Sequence, residues 1–280
     1  MKKSAASNAS QRGVRPRAEE SAPNAEPTRK PRDCKATASR RARASDAENA
    51  TTAKTPQKPA PRRRQSASKL TSKRKELCAK TLEALARQYP EPRCALEYET
   101  PFQLMVAVVL SAQCTDKRVN MVTPGLFRRF PTPEAFAAAT VGEIEEEIKS
   151  CGFYHAKAVN LSGAAKTLVE KHGGIVPDTM EELVQLPGVG RKTANCILGN
   201  AFRIASGFVV DTHVLRLSRK IGLSDNTTPE KVEADLNALV PQSEWIDASH
   251  RLILLGREFC VARRPQCDVC PLAEFCLKRE

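Results

Sequence analysis

No apolar stretch in this sequence is long enough to cross a bilayer. The wholly apolar run Leu104-Met105-Val106-Ala107-Val108-Val109-Leu110 falls far short of the roughly twenty residues a span requires. An apolar core of a secretory signal is missing from the amino terminus as well. The alternation of apolar and polar residues that marks strands is nearly absent, and only Gly207-Phe208-Val209-Val210 reads as extended. Neither the Gly-x-Gly-x-x-Gly dinucleotide fingerprint nor Gly-x-x-x-x-Gly-Lys-Ser/Thr occurs, which excludes those two phosphate-binding designs. Residues 1–75 contain no Ile, Phe, Tyr or Trp, so that quarter of the 280-residue chain has nothing from which to build a core.

Charge divides the chain at the same place. Residues 1–75 hold 21 of the 45 basic and 6 of the 32 acidic side chains, a net of +15, leaving 24 basic and 26 acidic for the remainder, a net of −2. The entire basic excess therefore sits in a stretch that reads as a disordered basic tail, rich in Ala, Ser, Pro, Lys and Arg. Two roles fit it: a salt-sensitive, sequence-independent grip on nucleic acid, or a solubilising extension. Residues 1–18 carry five basic residues and no acid, but with Met1 and Val14 as their only sizeable apolar side chains they give no amphipathic transit face. Arg62-Arg63-Arg64 and Lys73-Arg74-Lys75 would serve as nuclear addresses in a eukaryotic host. A bacterial host implies the cytoplasm or nucleoid, a eukaryotic one the nucleus or a mitochondrion.

From Ala79 onward the spacing is helical, as in Leu82, Leu85, Ala86 and Tyr89, and the run 104–110 reads as a central buried helix. Helix ends are marked by a capping-box pattern at Thr140 and Glu143, by Thr228-Pro229-Glu230, and by Gly173-Gly174. The expectation is an all-α body of about 205 residues.

Leu186-Pro187-Gly188-Val189-Gly190-Arg191-Lys192-Thr193-Ala194-Asn195 is a glycine-rich turn entering a helix. Gly188 and Gly190 permit positive φ angles, which converge backbone N–H groups ahead of the helix, and Arg191 beside them suits a nucleic-acid phosphate. Lys192, partly buried at the positive end of that helix, is where an ammonium is disfavoured and a free amine favoured, hence a candidate nucleophile. Asp211 is placed to cap the next helix, and a carboxylate so held can also accept a proton or stabilise a cationic transition state near Lys192.

Cys260, Cys267, Cys270 and Cys276 form C-x6-C-x2-C-x5-C, a metal-site signature. Six other cysteines are scattered singly and nothing indicates secretion, so a disulfide framework is disfavoured. Structural zinc prefers two Cys-x2-Cys knuckles and only Cys267 and Cys270 have that spacing; one compact wrap suits an iron–sulfur cubane, with zinc the alternative that spacing leaves open. Arg263 and Arg264 project from the gap between the first two cysteines, where they could meet phosphates.

Leu-Pro-Gly-Val-Gly-Arg-Lys-Thr-Ala at 186–194, Val-Asp-Thr-His at 210–213, the four-cysteine loop and Ser111-Ala112-Gln113-Cys114-Thr115-Asp116 together resemble the iron–sulfur-bearing endonuclease III family of the helix-hairpin-helix DNA glycosylase superfamily. The resemblance covers about residues 76–280. It implies a two-lobed all-α fold: a first helix over 76–95 packing with the iron–sulfur lobe, a six-helix lobe with the helix-hairpin-helix over 96–205, and a C-terminal lobe over 206–280. It further implies a [4Fe–4S] cluster on the four cysteines and an active cleft between the lobes. By the same resemblance Lys192 attacks the anomeric carbon of an oxidised pyrimidine nucleotide flipped from duplex DNA, Asp211 assists base departure, and the Schiff base permits β-elimination at the abasic site. Gln113 and Phe153 would fill the gap in the duplex, Phe153 standing where the family carries a leucine, with a buried helix-end aromatic as its alternative. His213 reads as structural.

Expected partners are damaged double-stranded DNA and no membrane, with the chain acting as a monomer. An adenine glycosylase acting opposite oxidised guanine is disfavoured by Lys192 and by the few residues that follow Cys276. A monofunctional uracil or mismatch glycosylase and a non-catalytic iron–sulfur DNA-binding protein are the remaining alternatives.

If the tail grips DNA, its removal lowers affinity mainly at low salt, and the slope of log affinity against log salt becomes shallower. Titrations at several salt concentrations check this; an unchanged slope contradicts it.

Overall fold

The computed structural model describes residues 62–278, and the side chains of residues 71–278. Residues 1–61 of the basic stretch lie outside the described residues. Helix α1 spans Arg62–Gln88 and so begins well before residue 76. Neither Pro nor Gly occurs between Arg62 and Tyr89, and the Arg, Lys, Ala and Gln residues there are good helix formers. The apolar pattern used to place the boundary reports burial, which begins near Leu77, rather than helicity. Truncations meant to test the tail are therefore best cut at residue 61.

The described residues are helical and contain no strand. After α1 come α2 (Pro101–Ser111), α3 (Asp116–Arg129), α4 (Pro133–Ala138), α5 (Val141–Ile148), α6 (Tyr154–His172), the single turn α7 (Met180–Leu183), α8 (Arg191–Ile197) with a π-turn over Leu198–Phe202, α9 (Thr212–Ile221), α10 (Pro229–Leu239) and α11 (Trp245–Glu258). The stretch 207–210, expected to be extended, runs as irregular chain into α9.

Local chemistry sets these ends. Thr140 and Glu143 form a reciprocal capping box on α5. Gly173, at φ 58°, ends α6, and the Gly174 amide donates to Leu168 O at 3.0 Å. Pro229 opens α10 behind Thr228.

Apolar side chains collect into two separate cores. The first surrounds α2, whose Leu104–Leu110 run is buried on every side, and takes Phe136, Ile148, Leu161 and Leu183 from the helices around it. The second joins Leu85 of α1 to Val214 and Leu217 of α9, Leu236 of α10, Leu252 of α11 and Leu272 beyond it. The first helix thus packs with the last part of the chain, and Arg251 Nε fastens it by donating to Tyr89 O at 3.1 Å.

Phe136 is fully buried between Phe102, edge-on at 5.3 Å, and Phe130 at 5.5 Å. Phe136→Ala should cost about 3–5 kcal/mol through lost burial and the cavity left behind, measured as ΔΔG of urea unfolding. A loss below about 1 kcal/mol would show that α4 is not a fixed part of this core.

Candidate active site and cluster loop

The hairpin is built from both sides of the glycine-rich turn. Thr179 caps α7, and its partner α8 starts at Arg191. Leu186 and Val189 are buried and pin the turn to the first core. Gly188 takes φ 79°, and a Cβ there would stand 2.9 Å from Asn160 Cβ, so both conformation and space demand glycine. Gly190 differs from expectation: its backbone is extended at φ −87° and ψ 174°. A Cβ there would meet nothing within 4 Å, so this residue leaves open room in front of the first amides of α8. No side chain caps those amides.

Lys192 lies in the first turn of α8. It is exposed rather than partly buried, and lines a cleft of about 870 Å³. Asp211 lines the same cleft from the start of α9, where its carboxylate accepts the Val214 amide at 2.8 Å. Both groups act on Cys196 between them. Burial pushes that thiol up to about 12; the Lys192 ammonium opposes the shift, while the carboxylates of Asp116 and Asp211 add to it. The lysine and aspartate singled out in sequence therefore share one electrostatic neighbourhood, although they come from helices in different cores.

Other cleft residues carried no sequence signal of their own. Arg257 of α11 donates to the Asp116 carboxylate at the start of α3, an ion pair joining elements of the two cores. His250 shares a 2.9 Å hydrogen bond with Asn200 Oδ1, and burial lowers its pKa, so the ring is neutral near pH 7. Each sits in an ordinary helical apolar pattern, and no short motif announces it. Asp116 alone was flagged, through its place at the end of the Ser111–Asp116 segment.

Arg191 departs from the simple phosphate-binding reading. Its guanidinium donates to buried Glu233 of α10 at 3.0 Å, and this partner raises its pKa. Glu233 also accepts from Asn195 Nδ2 at 3.2 Å. The arginine is thus a strut between the hairpin helix and α10, with about half of its side chain still exposed. His213 lines the same cleft as Lys192 and Asp211; its Nδ1 lies 3.4 Å from Arg216 Nη2, and a Cβ at Gly256 would clash with its ring at 2.8 Å.

Gln113 and Phe153, from separate loops, are brought together. Both are non-glycine residues in the left-handed region, at φ 51° and φ 57°. Such conformations cost roughly 1–2 kcal/mol and persist where the surroundings impose them. The loops touch, since a Cβ at Gly152 would lie 3.3 Å from Gln113 O. Phe153 is 66% exposed, which overturns the alternative of a buried helix-end aromatic. Beneath it Lys157 is buried, donating Nζ to Leu110 O at 2.8 Å.

The 20 described residues beyond α11 wrap as a loop with one 3₁₀ turn at Cys267–Val269. The Cys260 amide donates to Leu255 O at 2.8 Å, Gln266 to Phe259 O at 2.8 Å and Cys276 to Leu272 O at 2.9 Å, with Leu272 buried as the anchor. All four cysteines are half-buried free thiols. Burial raises the Cys270 and Cys276 thiols, and the neighbouring cysteines raise them further, so the four cysteines share one electrostatic neighbourhood. Among the described residues no three Cys, His, Asp or Glu side chains converge tightly enough for a single ion. A zinc ion would need sulfurs drawn to about 2.3 Å around one centre, whereas a cubane offers each thiolate its own iron. The donor set fits the cluster. Arg216 of α9 ties the loop to the cleft, donating to Cys260 O and standing 3.6 Å from Cys260 Sγ. Arg263 and Arg264 are exposed on this loop.

Comparison with known proteins agrees with this geometry. Residues 106–242 match the HhH-GPD superfamily base excision DNA repair protein model, and residues 260–276, from the first to the last of the four cysteines, match the iron–sulfur binding domain of endonuclease III. The endonuclease III of Synechocystis sp. is 50% identical over 208 residues, covering 74% of this chain and 94% of its own. That of Escherichia coli K12 is 40% identical over 205 residues, covering 72% and 97%. A solved structure of a trapped endonuclease III–DNA covalent intermediate superposes with a TM-score of 0.70 at 41% identity, covering 73% of this chain and 96% of that one. The cofactor is accordingly a [4Fe–4S] cluster, and the chain belongs to the endonuclease III family of helix-hairpin-helix base excision repair DNA glycosylases.

Proposed function

We propose that this glycosylase is bifunctional, removing oxidised pyrimidines from double-stranded DNA and then cutting the strand at the abasic site. The observation that carries the reading is the pairing of Lys192 and Asp211 on the walls of one cleft, each at the start of a helix and both beside Cys196. A binding protein needs no carboxylate opposite its lysine.

The damaged nucleotide leaves the stack and enters the cleft. Asp211, held by the Val214 amide at 2.8 Å, takes a proton from the Lys192 ammonium or stabilises positive charge developing on the sugar. The Lys192 amine then bonds to the anomeric carbon as the base departs with the glycosidic electron pair. The C1′–O4′ bond then opens, its electron pair leaving on O4′, which takes up the proton the nitrogen sheds, and the nitrogen lone pair closes the C=N bond of a Schiff base. Its electron-withdrawing carbon permits removal of the neighbouring sugar proton and expulsion of the 3′ phosphate. The covalent DNA intermediate of the related endonuclease III supports a nucleophile of this kind.

Gly188 and Gly190 bring the α8 amides to a phosphate, while Arg191 steadies that turn through Glu233. Gln113 and Phe153 enter the gap left by the flipped nucleotide. Cys260, Cys267, Cys270 and Cys276 hold the cluster, which when bound closes the C-terminal loop and presents Arg263 and Arg264 to the backbone. Both catalytic groups come from one chain, so a monomer suffices.

With thymine-glycol or abasic duplexes and borohydride, the protein should form a covalent DNA adduct and Lys192→Ala should form none, while retaining DNA binding. Asp211→Asn should cut on the order of a hundredfold more slowly. An adduct undiminished in Lys192→Ala removes the assignment. Cys270→Ala should lose bound iron and the visible absorption of the cluster; iron retained in full would remove Cys270 from the ligand set.

A further inference from the structure

The loops bearing Gln113 and Phe153 each carry a cysteine that the chemistry above leaves unused. Cys114 follows Gln113 directly, and Cys151 precedes Phe153 by two residues. Cys114 lies close enough to Cys151 to raise its thiol, burial being the larger cause. The backbones are equally close, as the 3.3 Å approach of a Gly152 Cβ to Gln113 O indicates. Each cysteine is anchored at the base of its loop: the Cys114 amide donates to Ser111 O at 3.1 Å and the Cys151 amide to Ile148 O at 2.8 Å.

The two thiols differ in access. Cys114 is half-buried and reached by solvent, whereas Cys151 is 1% exposed. Burial and the adjacent Cys114 push the Cys151 thiol up to about 11, keeping it protonated until Cys114 has reacted. The buried Lys157 ammonium opposes that upward shift at Cys151.

We propose that Cys114 and Cys151 form a redox modification site, at which a low-molecular-weight disulfide converts the two thiols to a cystine that staples the loop of Gln113 to the loop of Phe153. The Cys114 thiolate attacks one sulfur of the small disulfide and expels the other as a thiolate. The Cys151 thiol then gives up its proton, attacks the Cys114 sulfur of the mixed disulfide and expels the second small thiolate. Two protein thiols are oxidised, one disulfide is reduced to two thiols, and the released protons end on those thiols. The consequence for activity rests on reading Gln113 and Phe153 as the residues that enter DNA. A staple fixes their separation, and a wedge unable to adjust to the flipped nucleotide misplaces the sugar relative to Lys192.

The test uses the full chain with its cluster. The protein is incubated with oxidised glutathione, alkylated, digested without reduction and mapped by mass spectrometry. Cutting of a thymine-glycol duplex is timed before oxidation, after it, and after dithiothreitol. The expected result is a Cys114–Cys151 linked peptide lacking two hydrogens, with cutting slowed by about tenfold or more and restored by dithiothreitol. Cys114→Ala, at the half-buried position, should cut at the unmodified rate and be indifferent to the oxidant. Alkylation of both cysteines, a stable glutathione adduct on Cys114 alone, a link of either cysteine to a different partner, or a formed cystine with unchanged cutting would each overturn the proposal. Failure of the reduced protein to cut at all would instead strike the proposed function, with the peptide map still deciding the site.

Discussion

Helix α2 has no polar face over Leu104–Leu110, so it cannot lie against water and must be enclosed. Helices α3, α6 and α8 pack against it, and the enclosure fixes where their ends point. Asp116 opens α3, Phe153 precedes α6, Lys192 lies in the first turn of α8, and Gln113 follows the end of α2 itself. These four residues are thus placed by the termini of one packed set. A buried lysine, Lys157, secures the arrangement by taking the Leu110 carbonyl that helix α2 leaves unpaired.

The second core supplies what the first cannot. Asp211 caps α9, and α9 is held against α11 closely enough that Gly256 has no room for a side chain beside His213. Arg216 carries the same helix into the cysteine loop, while the Arg257–Asp116 ion pair joins the cores across the cleft. The near-neutral charge of residues 76–280 leaves no broad basic field over this part of the chain, and positive charge is carried by local groups such as the exposed Arg263 and Arg264.

Residues written as short contiguous motifs were legible in the sequence. The helical class, the turn at Gly188, the placing of Lys192 and Asp211 at helix starts and the cysteine wrap all depend on spacing within one segment, where backbone geometry links residues directly. Capping at Thr140, the proline start of α10 and the glycine stop of α6 were readable for the same reason. The start of α1 was misplaced because apolar periodicity marks burial, and a helix can extend beyond the part it buries.

Pairings across the chain were decided only by packing. Nothing near Arg191 in sequence announces Glu233, some forty residues on, yet that carboxylate turns the arginine from a free phosphate contact into a strut. The extended backbone of Gly190, the exposure of Phe153, the neutral His250 and the meeting of Cys114 with Cys151 belong to the same group. Local sequence specifies which residues can cap, turn or ligate, because those acts involve neighbours along the chain. Which distant side chains come to share a charge, a proton or a disulfide depends on how two apolar cores close, and that is a property of the whole fold.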